Sequence, residues 1–481
     1  MNPHSTDMAA AGRQGHAGGG SSSHNSGAVD RHLFGTDGIR GVAGEFPMDR
    51  ATACAVGRAL GSFVSQEHRE PAVVIGTDTR ESGGWLAPCV AAGLIQQGVR
   101  PRFAGVLTTP GVAYLARTGP FAAGVMISAS HNPYQDNGIK VLSHTGYKYP
   151  DATEHQLEQG LYAVLQAGSD ITPARLDPDE SLPRQYEDYL ASTMPGTLRG
   201  LSLVVDCANG AASALAPALF RRLGADVHAI CCHPDGRNIN LDCGSLHIAG
   251  LREETVRHRA DLGVAFDGDA DRAIFVTRSG KVVDGDGVLL IAARFLRARG
   301  VLSGDGQQPC VVATVMSNLG LEQALAAEGI RLLRTPVGDK YVLEEMLRAG
   351  AVLGGEQSGH VIFLHQATTG DGILTALRVL EAMLAAGADL ETLTAGMNLY
   401  QQILLNVRLQ RKLSLSDMPA VQEEIRVAEE ALATSGRVLV RPSGTEPLFR
   451  VMVEGQDRNQ VERYANCIAQ AIAREVNGAG P

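Results

Sequence analysis

Three times along the chain a short run of β-branched and aliphatic residues gives way to a polar loop, a stretch with helical spacing, and a second apolar run. The first unit opens at "PAVVIGTDTR" (residues 71–80) and continues through "WLAPCVAAGLIQQG" (85–98). The second is "LSLVVDCANGAASALAPALFRRLGADVHAI" (201–230) and the third "CVVATVMSNLGLEQALAAEGIRLLRT" (310–335). This rhythm is that of βαβ units, whose strands read as unbroken apolar runs because helices cover both faces of the sheet. It predicts three successive mixed-sheet α/β domains with largely parallel strands, similar in pattern and weak in shared letters. Beyond about residue 406 the rhythm changes. "MPAVQEEIRVAEEALA" reads as helix, "GRVLVRPSGTEPLFRVMVEG" as two strands about a turn, and "NQVERYANCIAQAIARE" as helix again, which predicts a C-terminal α+β domain. Seams at 192–200, 278–287 and 406–412 give expected domains 31–192, 193–285, 286–402 and 403–481 around a central cleft. Residues 1–30, Gly/Ser/His-rich with few large apolar side chains, read as a disordered tail.

Composition narrows the function. A chain of 481 residues is too long for one core. No run of eighteen apolar residues and no signal-peptide core occurs, so a cytoplasmic protein with no membrane partner is expected. Forty-two basic against fifty-two acidic residues leave a net charge of −10, which argues against nucleic acid as a partner. The eight cysteines form no C-x-x-C pair and sit mostly in apolar segments, so neither disulfides nor zinc are expected.

Four stretches carry chemistry. Ser130 follows the apolar run "AAGVMISA" and precedes His131, Asn132 and Pro133, which favour a turn. Its hydroxyl is thus presented at the end of a sheet, where open α/β folds bind ligands. On this stretch alone, a turn cap and a nucleophile are equally good readings. The absence of G-x-S-x-G disfavours a serine hydrolase. In "FDGDADRA" the carboxylates of Asp267, Asp269 and Asp271 alternate with small residues, so they can converge on one hard cation. Without such a partner the stretch is a solvated acidic turn. Arg272 and Arg278 stand where an EF-hand needs Gly and Glu, and the lack of adjacent His or Cys favours Mg²⁺ over Zn²⁺. "VRPSGTEP" offers Arg441, Ser443, Gly444 and Thr445, a guanidinium and a backbone nest for phosphate or else a plain hairpin turn, with Arg450 on the next strand adding charge. "GGEQSGH" alternates Glu356, Ser358 and His360, which suits sugar hydroxyls although a plain loop reads the same way. Arg40 in "FGTDGIRG" and Lys340 in "TPVGDKYV" are further candidate anion contacts. Together these describe phosphoryl transfer on a phosphosugar in a cleft between domains. Arg40, Lys140, Arg441 and Arg450 would make that cleft positive within an acidic chain.

The ordered set "FGTDGIRG", "SASHNPYQDNGIK", "FDGDADR", "GGEQSGH", "TTGDGI" and "RPSGTEPL", spread over residues 32–475, resembles the α-D-phosphohexomutase superfamily. The resemblance implies a four-domain fold, phosphorylated Ser130 as carrier of the transferable phosphate, and one Mg²⁺ per subunit held by Asp267, Asp269 and Asp271 with that phosphate. It also implies sugar contacts from Glu356 and Ser358 with His360 close by, and distal phosphate binding by Arg441, Ser443, Gly444 and Thr445. His131 and Lys140, near Ser130 in sequence, are acid/base or charge-stabilising candidates, and His131 reads equally as a turn residue. "GEQSGH" and "RPSGTEP" are similar to the glucosamine branch, which implies interconversion of glucosamine 6-phosphate and glucosamine 1-phosphate through a sugar bisphosphate that also activates the enzyme. A phosphomannomutase/phosphoglucomutase is the alternative, and a non-catalytic sugar-phosphate sensor a more distant one. Monomer and homodimer remain open. Two departures stand out: "CGSLHIAGL" has Leu-His where relatives commonly carry Thr-His or Thr-Asp, and the N-terminal tail is long.

Overall fold

The structure, a computed structural model, describes residues 33–35, 37–168, 171–302, 308–409, 414–442 and 448–478. The tail expected at 1–30 lies outside them, as do Ser443, Gly444 and Thr445 of the predicted phosphate cradle.

The first domain has strands β1 (Ile39–Val42), β2 (Ala72–Thr77), β3 (Arg100–Val106), β4 (Ala123–Ile127) and β5 (Asp136–Ser143), in the order β1-β5-β4-β2-β3. Its helices are α1 (Arg50–Glu67), α2 (Gly83–Gln96), α3 (Thr109–Thr118), α4 (Asp151–Ala167) and α5 (Ser181–Thr193). The second domain has β6 (Ser202–Asp206), β7 (Asp226–Ile230), β8 (Leu262–Phe266), β9 (Ala273–Thr277) and β10 (Val282–Val283), in the order β10-β9-β8-β6-β7, with α6 (Ala212–Arg222) and α7 (Ala249–His258). The third has β11 (Cys310–Thr314), β12 (Arg331–Thr335), β13 (Leu353–Gly355) and β14 (Val361–Phe363), in the order β12-β11-β13-β14, with α8 (Gly285–Ala298), α9 (Leu319–Ala327), α10 (Asp339–Ala349), α11 (Gly372–Ala386) and α12 (Leu390–Leu393). The fourth is a three-stranded sheet, β15 (Gln401–Arg408), β16 (Gly436–Pro442) and β17 (Leu448–Gly455), in the order β15-β17-β16, with α13 (Pro419–Leu432) and α14 (Arg458–Gly478). The seam expected at 406–412 therefore overlaps β15, which already belongs to the last sheet through its pairing with β17.

The first three sheets share one plan. Three strands run parallel, β3-β2-β4, β7-β6-β8 and β12-β11-β13, and a following strand turns back antiparallel beside the third: β5, β9 and β14. The sheets are therefore more mixed than the apolar runs suggest. A connection of a few residues can join only antiparallel neighbours, since a parallel pair needs a crossover. Three equivalent short turns result, at β4–β5, β8–β9 and β13–β14.

One apolar core runs through the first three domains, with Leu182, Tyr186 and Leu190 of α5 joining residues such as Phe220, Phe266, Phe275 and Leu377. Tyr186 also donates its hydroxyl to Asp371 at 2.6 Å, fastening α5 to the N-cap of α11. The fourth domain has its own core around Phe449, Val451, Val461 and Ile468. It meets the third through polar bonds: Arg437 pairs with buried Glu454 and donates to the carbonyls of Val315 and Ser317, and Glu454 accepts from Leu319 N.

Helices α1 and α2 cross at two glycines. A Cβ on Gly57 would lie 2.0 Å from Val90 O, and one on Gly93 2.1 Å from Cys54 O, both backbone atoms that cannot swing aside. Gly93→Ala is accordingly expected to cost about 3 kcal/mol by forcing the helices apart, read as a lower denaturant midpoint at unchanged slope.

Candidate active site

Each of the three equivalent turns carries one of the predicted motifs. The β4–β5 turn holds Ser130, the β8–β9 turn holds Asp267, Asp269 and Asp271, and the β13–β14 turn holds Glu356, Ser358 and His360. Fold repetition thus brings three sequence-distant loops to equivalent sheet ends.

Ser130 is buried and held at φ 52°, a left-handed conformation unusual for a residue with a side chain. Such strain persists only where surroundings over-determine it, and here they do. Ser128 Oγ accepts from Ser130 N at 2.9 Å, while Arg80 and Asn240 donate to Ser130 O at 3.2 and 3.0 Å. Arg80 is itself buried and paired with Asp78, and it also donates to Asn132 O. The Ser130 hydroxyl donates to Asp267 Oδ2, and His131 Nδ1 stands 3.5 Å from Ser130 Oγ. Burial, then the Arg272 and Arg40 charges, push the His131 imidazole down to about 4.

The three aspartates are buried, with one oxygen of each within 4.8 Å of the others. Burial and the neighbouring Asp271 and Asp269 carboxylates push Asp267 well above the usual range. Asp271 goes the other way: burial would raise it, but His360, Lys140 and Arg272 hold it well below. Among the described residues, Asp269 Oδ1 and Asp271 Oδ1 have no hydrogen-bond partner. Buried carboxylate oxygens without donors are costly, and an all-oxygen set of this kind is able to hold a hard divalent cation.

Lys140 is the buried counter-charge of this cluster. Its Nζ lies 2.8 Å from Asp269 Oδ2, 2.9 Å from Asp37 Oδ2 and 3.8 Å from Asp271 Oδ2. Asp37 bridges to Arg40 and to Lys148 at 2.7 Å, and Lys148 reaches Asp339 of α10 at 2.6 Å. Arg40, predicted as an anion contact, is thus joined to the cluster through Asp37.

The third loop divides. Glu356 accepts from Gly338 N at 3.1 Å, and Ser358 Oγ lies 3.4 Å from Glu356 Oε2; both side chains are only partly buried. His360, grouped with them by its spacing, is buried instead. Its Nε2 accepts from Gly370 N at 3.0 Å, which leaves Nδ1 carrying a proton 3.6 Å from Asp271 Oδ2. Lys340 pairs with Asp151 of α4. Arg441 and Arg450 face each other in register across β16 and β17, and burial and the Arg450 charge lower Arg441's affinity for its proton, an arrangement an anion would relieve. Among the described residues neither arginine bonds to the serine–aspartate cluster.

Sequence reasoning missed Asp37, Arg80, Thr109, Lys148 and Asn240. Thr109 donates to Asp269 Oδ2 from the N-terminus of α3. Two had a readable signal: Arg80 is a charged residue in the polar loop directly after the apolar strand β2, and Asp37 lies within the stretch "FGTDGIRG".

Known proteins share this plan. Family models described as phosphoglucomutase/phosphomannomutase match in order: alpha/beta/alpha domain I over residues 31–166, domain II over 184–280, domain III over 284–400 and the C-terminal domain over 404–471. A phosphoglucosamine mutase of Solibacter usitatus is 57% identical over 93% of this chain and 99% of its own length. One of Koribacter versatilis is 48% identical over 93% and 97%. The crystal structure of a phosphoglucomutase/phosphomannomutase family protein from Burkholderia thailandensis superposes with a TM-score of 0.76 at 25% identity, over 94% of this chain and 98% of the other. The chain therefore belongs to the phosphoglucomutase/phosphomannomutase family, in the group whose curated members are named phosphoglucosamine mutase, and is an enzyme of the mutase class.

Proposed function

We propose that the protein interconverts glucosamine 6-phosphate and glucosamine 1-phosphate, with Ser130 as the phosphate carrier. The observation that carries this reading is the Ser130 hydroxyl bonded to Asp267 inside a buried Asp triad. In the forward direction phospho-Ser130 gives its phosphoryl to O1 of glucosamine 6-phosphate, producing a bisphosphate. The bisphosphate turns over in the cleft, its 6-phosphoryl returns to Ser130, and glucosamine 1-phosphate leaves. The same bisphosphate would charge an unphosphorylated enzyme.

Asp267, Asp269 and Asp271, with the phosphate on Ser130, would hold one Mg²⁺ per subunit; when bound, it neutralises charge on the transferring oxygens. Lys140 keeps its proton beside three carboxylates and so offers charge to that phosphate. His131, neutral at neutral pH and facing Ser130 Oγ, is placed to exchange a proton with the reacting hydroxyl. Glu356 and Ser358 meet the sugar hydroxyls, with Lys340 at the edge of that loop. Arg441, Ser443, Gly444, Thr445 and Arg450 grip whichever phosphate is not reacting. The two orientations of the bisphosphate require that grip to shift, which a fourth domain with its own core and a polar junction can do. The division 31–192, 193–285, 286–402 and 403–481 belongs to this reading, as do a cytoplasmic setting, a product destined for UDP-N-acetylglucosamine and peptidoglycan precursors, and a monomer or homodimer. Among the described residues no helix is long and apolar enough to cross a membrane.

Peptide mass spectrometry after incubation with a sugar bisphosphate and Mg²⁺ is expected to find one phosphate, on the peptide containing Ser130. Turnover is expected to be fastest with glucosamine 6-phosphate. Equal or faster turnover of mannose 6-phosphate would move the chain to the phosphomannomutase reading, and persistent failure to take up phosphate would overturn the carrier role.

A further inference from the structure

At the ends of β6 and β7 the fold gathers three side chains that the proposed reaction does not use. Asp206, Cys231 and Cys243 each place one ligand-type atom within 4.8 Å of the other two, although the sequence contains no C-x-x-C pair. The carboxylate is already committed. Asp206 Oδ1 accepts from Ala208 N and Oδ2 from Gly244 N, both at 2.9 Å, so it pins two loops together, and it also lies within hydrogen-bond reach of the Cys231 thiol. Cys243 is buried, whereas Cys231 is partly exposed. The Cys243 thiol beside it holds the Cys231 thiol below its ordinary range. The accessible partner is therefore the better nucleophile.

The pair is wired to the serine loop. Asn240, on the segment leading into Cys243, donates Nδ2 to the carbonyls of Ser130 and Asn132, each at 3.0 Å. Asn209 lies between the sulfurs and the first domain. Its Nδ2 reaches Cys243 Sγ at 3.8 Å, its backbone N donates to Cys231 O at 2.6 Å, and its own carbonyl accepts from Thr79 Oγ1 at 2.6 Å. Ala208, Asn209, Cys231, Asn240 and Asp242 all have left-handed backbones, so these loops have little slack in which to absorb a shift.

We propose that Cys231 and Cys243 are a modification site, a dithiol that closes to a disulfide by exchange with a low-molecular-weight disulfide and thereby displaces the Ser130 loop. The Cys231 thiolate attacks one sulfur of the small disulfide, whose S–S bond breaks and releases one small thiol. Cys243, losing its proton, then attacks Cys231 in the mixed disulfide and releases the second. Two protein thiols are oxidised and one small disulfide is reduced to two thiols. Closure brings the sulfurs to about 2.05 Å, which draws the loop carrying Asn240 toward the end of β7 and away from the Ser130 carbonyl. The consequence for turnover rests on Ser130 being the phosphate carrier; the bond itself does not.

The test is incubation of the full-length protein with oxidised glutathione, followed by intact mass, non-reducing peptide mapping and a mutase assay. The expected result is loss of two hydrogens, a crosslinked Cys231–Cys243 peptide, and a fall in turnover of about 10- to 100-fold that dithiothreitol reverses. Cys231→Ser is expected to keep basal turnover and lose both the crosslink and the sensitivity. A crosslink between Cys207 and Cys232, a glutathione adduct that never resolves, or a Cys231–Cys243 bond with unchanged turnover would overturn the proposal. If the reduced protein shows no mutase activity at all, the functional reading fails, while the peptide map still decides the pair.

Discussion

Ser130→Ala is expected to lower mutase turnover by roughly 10⁴-fold or more, the scale on which enzymes lose a covalent nucleophile. The substitution removes the oxygen that would carry the phosphoryl group and little else. Alanine meets the same left-handed backbone penalty as serine, and the bonds that impose it run through Ser130 N and O, which the variant keeps. The hydrogen bond lost is the one to Asp267, a carboxyl that burial and its neighbours already push toward the protonated form. Stability should therefore change by only about 1 kcal/mol. The measurement is turnover of glucosamine 6-phosphate with a sugar bisphosphate and Mg²⁺, alongside a thermal melt of the same sample. Full activity in the variant would show that the hydroxyl is dispensable and remove the basis for a phosphoenzyme.

The contrast between Ser130 and His360 explains how far the sequence could be read. A buried strand followed by Ser-His-Asn-Pro, or by alternating aspartates, declares itself within ten residues, because strand burial and turn chemistry are both local. The C-terminal domain was legible for the same reason, through its change in period. The antiparallel strand that follows the three parallel ones in each of the first three sheets was not evident in the apolar runs, since a strand covered on both faces reads alike in either direction. His360 shows where local reasoning stops. Alternation places it with Glu356 and Ser358, but Gly359 sits at φ 95° with its Cα packed against the second domain: a Cβ there would lie 2.4 Å from Ala273 O. That close approach breaks the alternation and turns the imidazole inward onto Asp271. The imidazole then acts on the aspartate loop, a pairing no spacing within "GGEQSGH" could announce. Asp37 with Lys148, and Asn240 with Ser130, are likewise made by the meeting of distant loops.

The second large effect is expected at Lys140, because its charge is buried among opposite charges. Lys140→Met should destabilise the protein by about 3–5 kcal/mol, the usual penalty for removing one member of a buried ion pair and leaving its partners uncompensated. Burial alone would lower the lysine's hold on its proton, but the carboxylates of Asp269, Asp37 and Asp271 outweigh it and raise that hold above the ordinary value. A group raised in this way contributes its stability below its unfolded value and loses it only as pH rises past the folded one. The loss in Lys140→Met should therefore be much the same between about pH 6 and pH 9, checked by urea unfolding at several pH values. Lys140→Arg, which keeps the charge, should recover part of it. Mg²⁺ sharpens the test: with the ammonium gone, Asp269 and Asp271 depend more on an added cation, so the rise in melting temperature on adding Mg²⁺ should be larger in Lys140→Met than in the parent protein. An unchanged unfolding midpoint in the variant would mean that the three carboxylates are compensated by other groups, and that Lys140 offers the transferring phosphate no charge the site lacks without it.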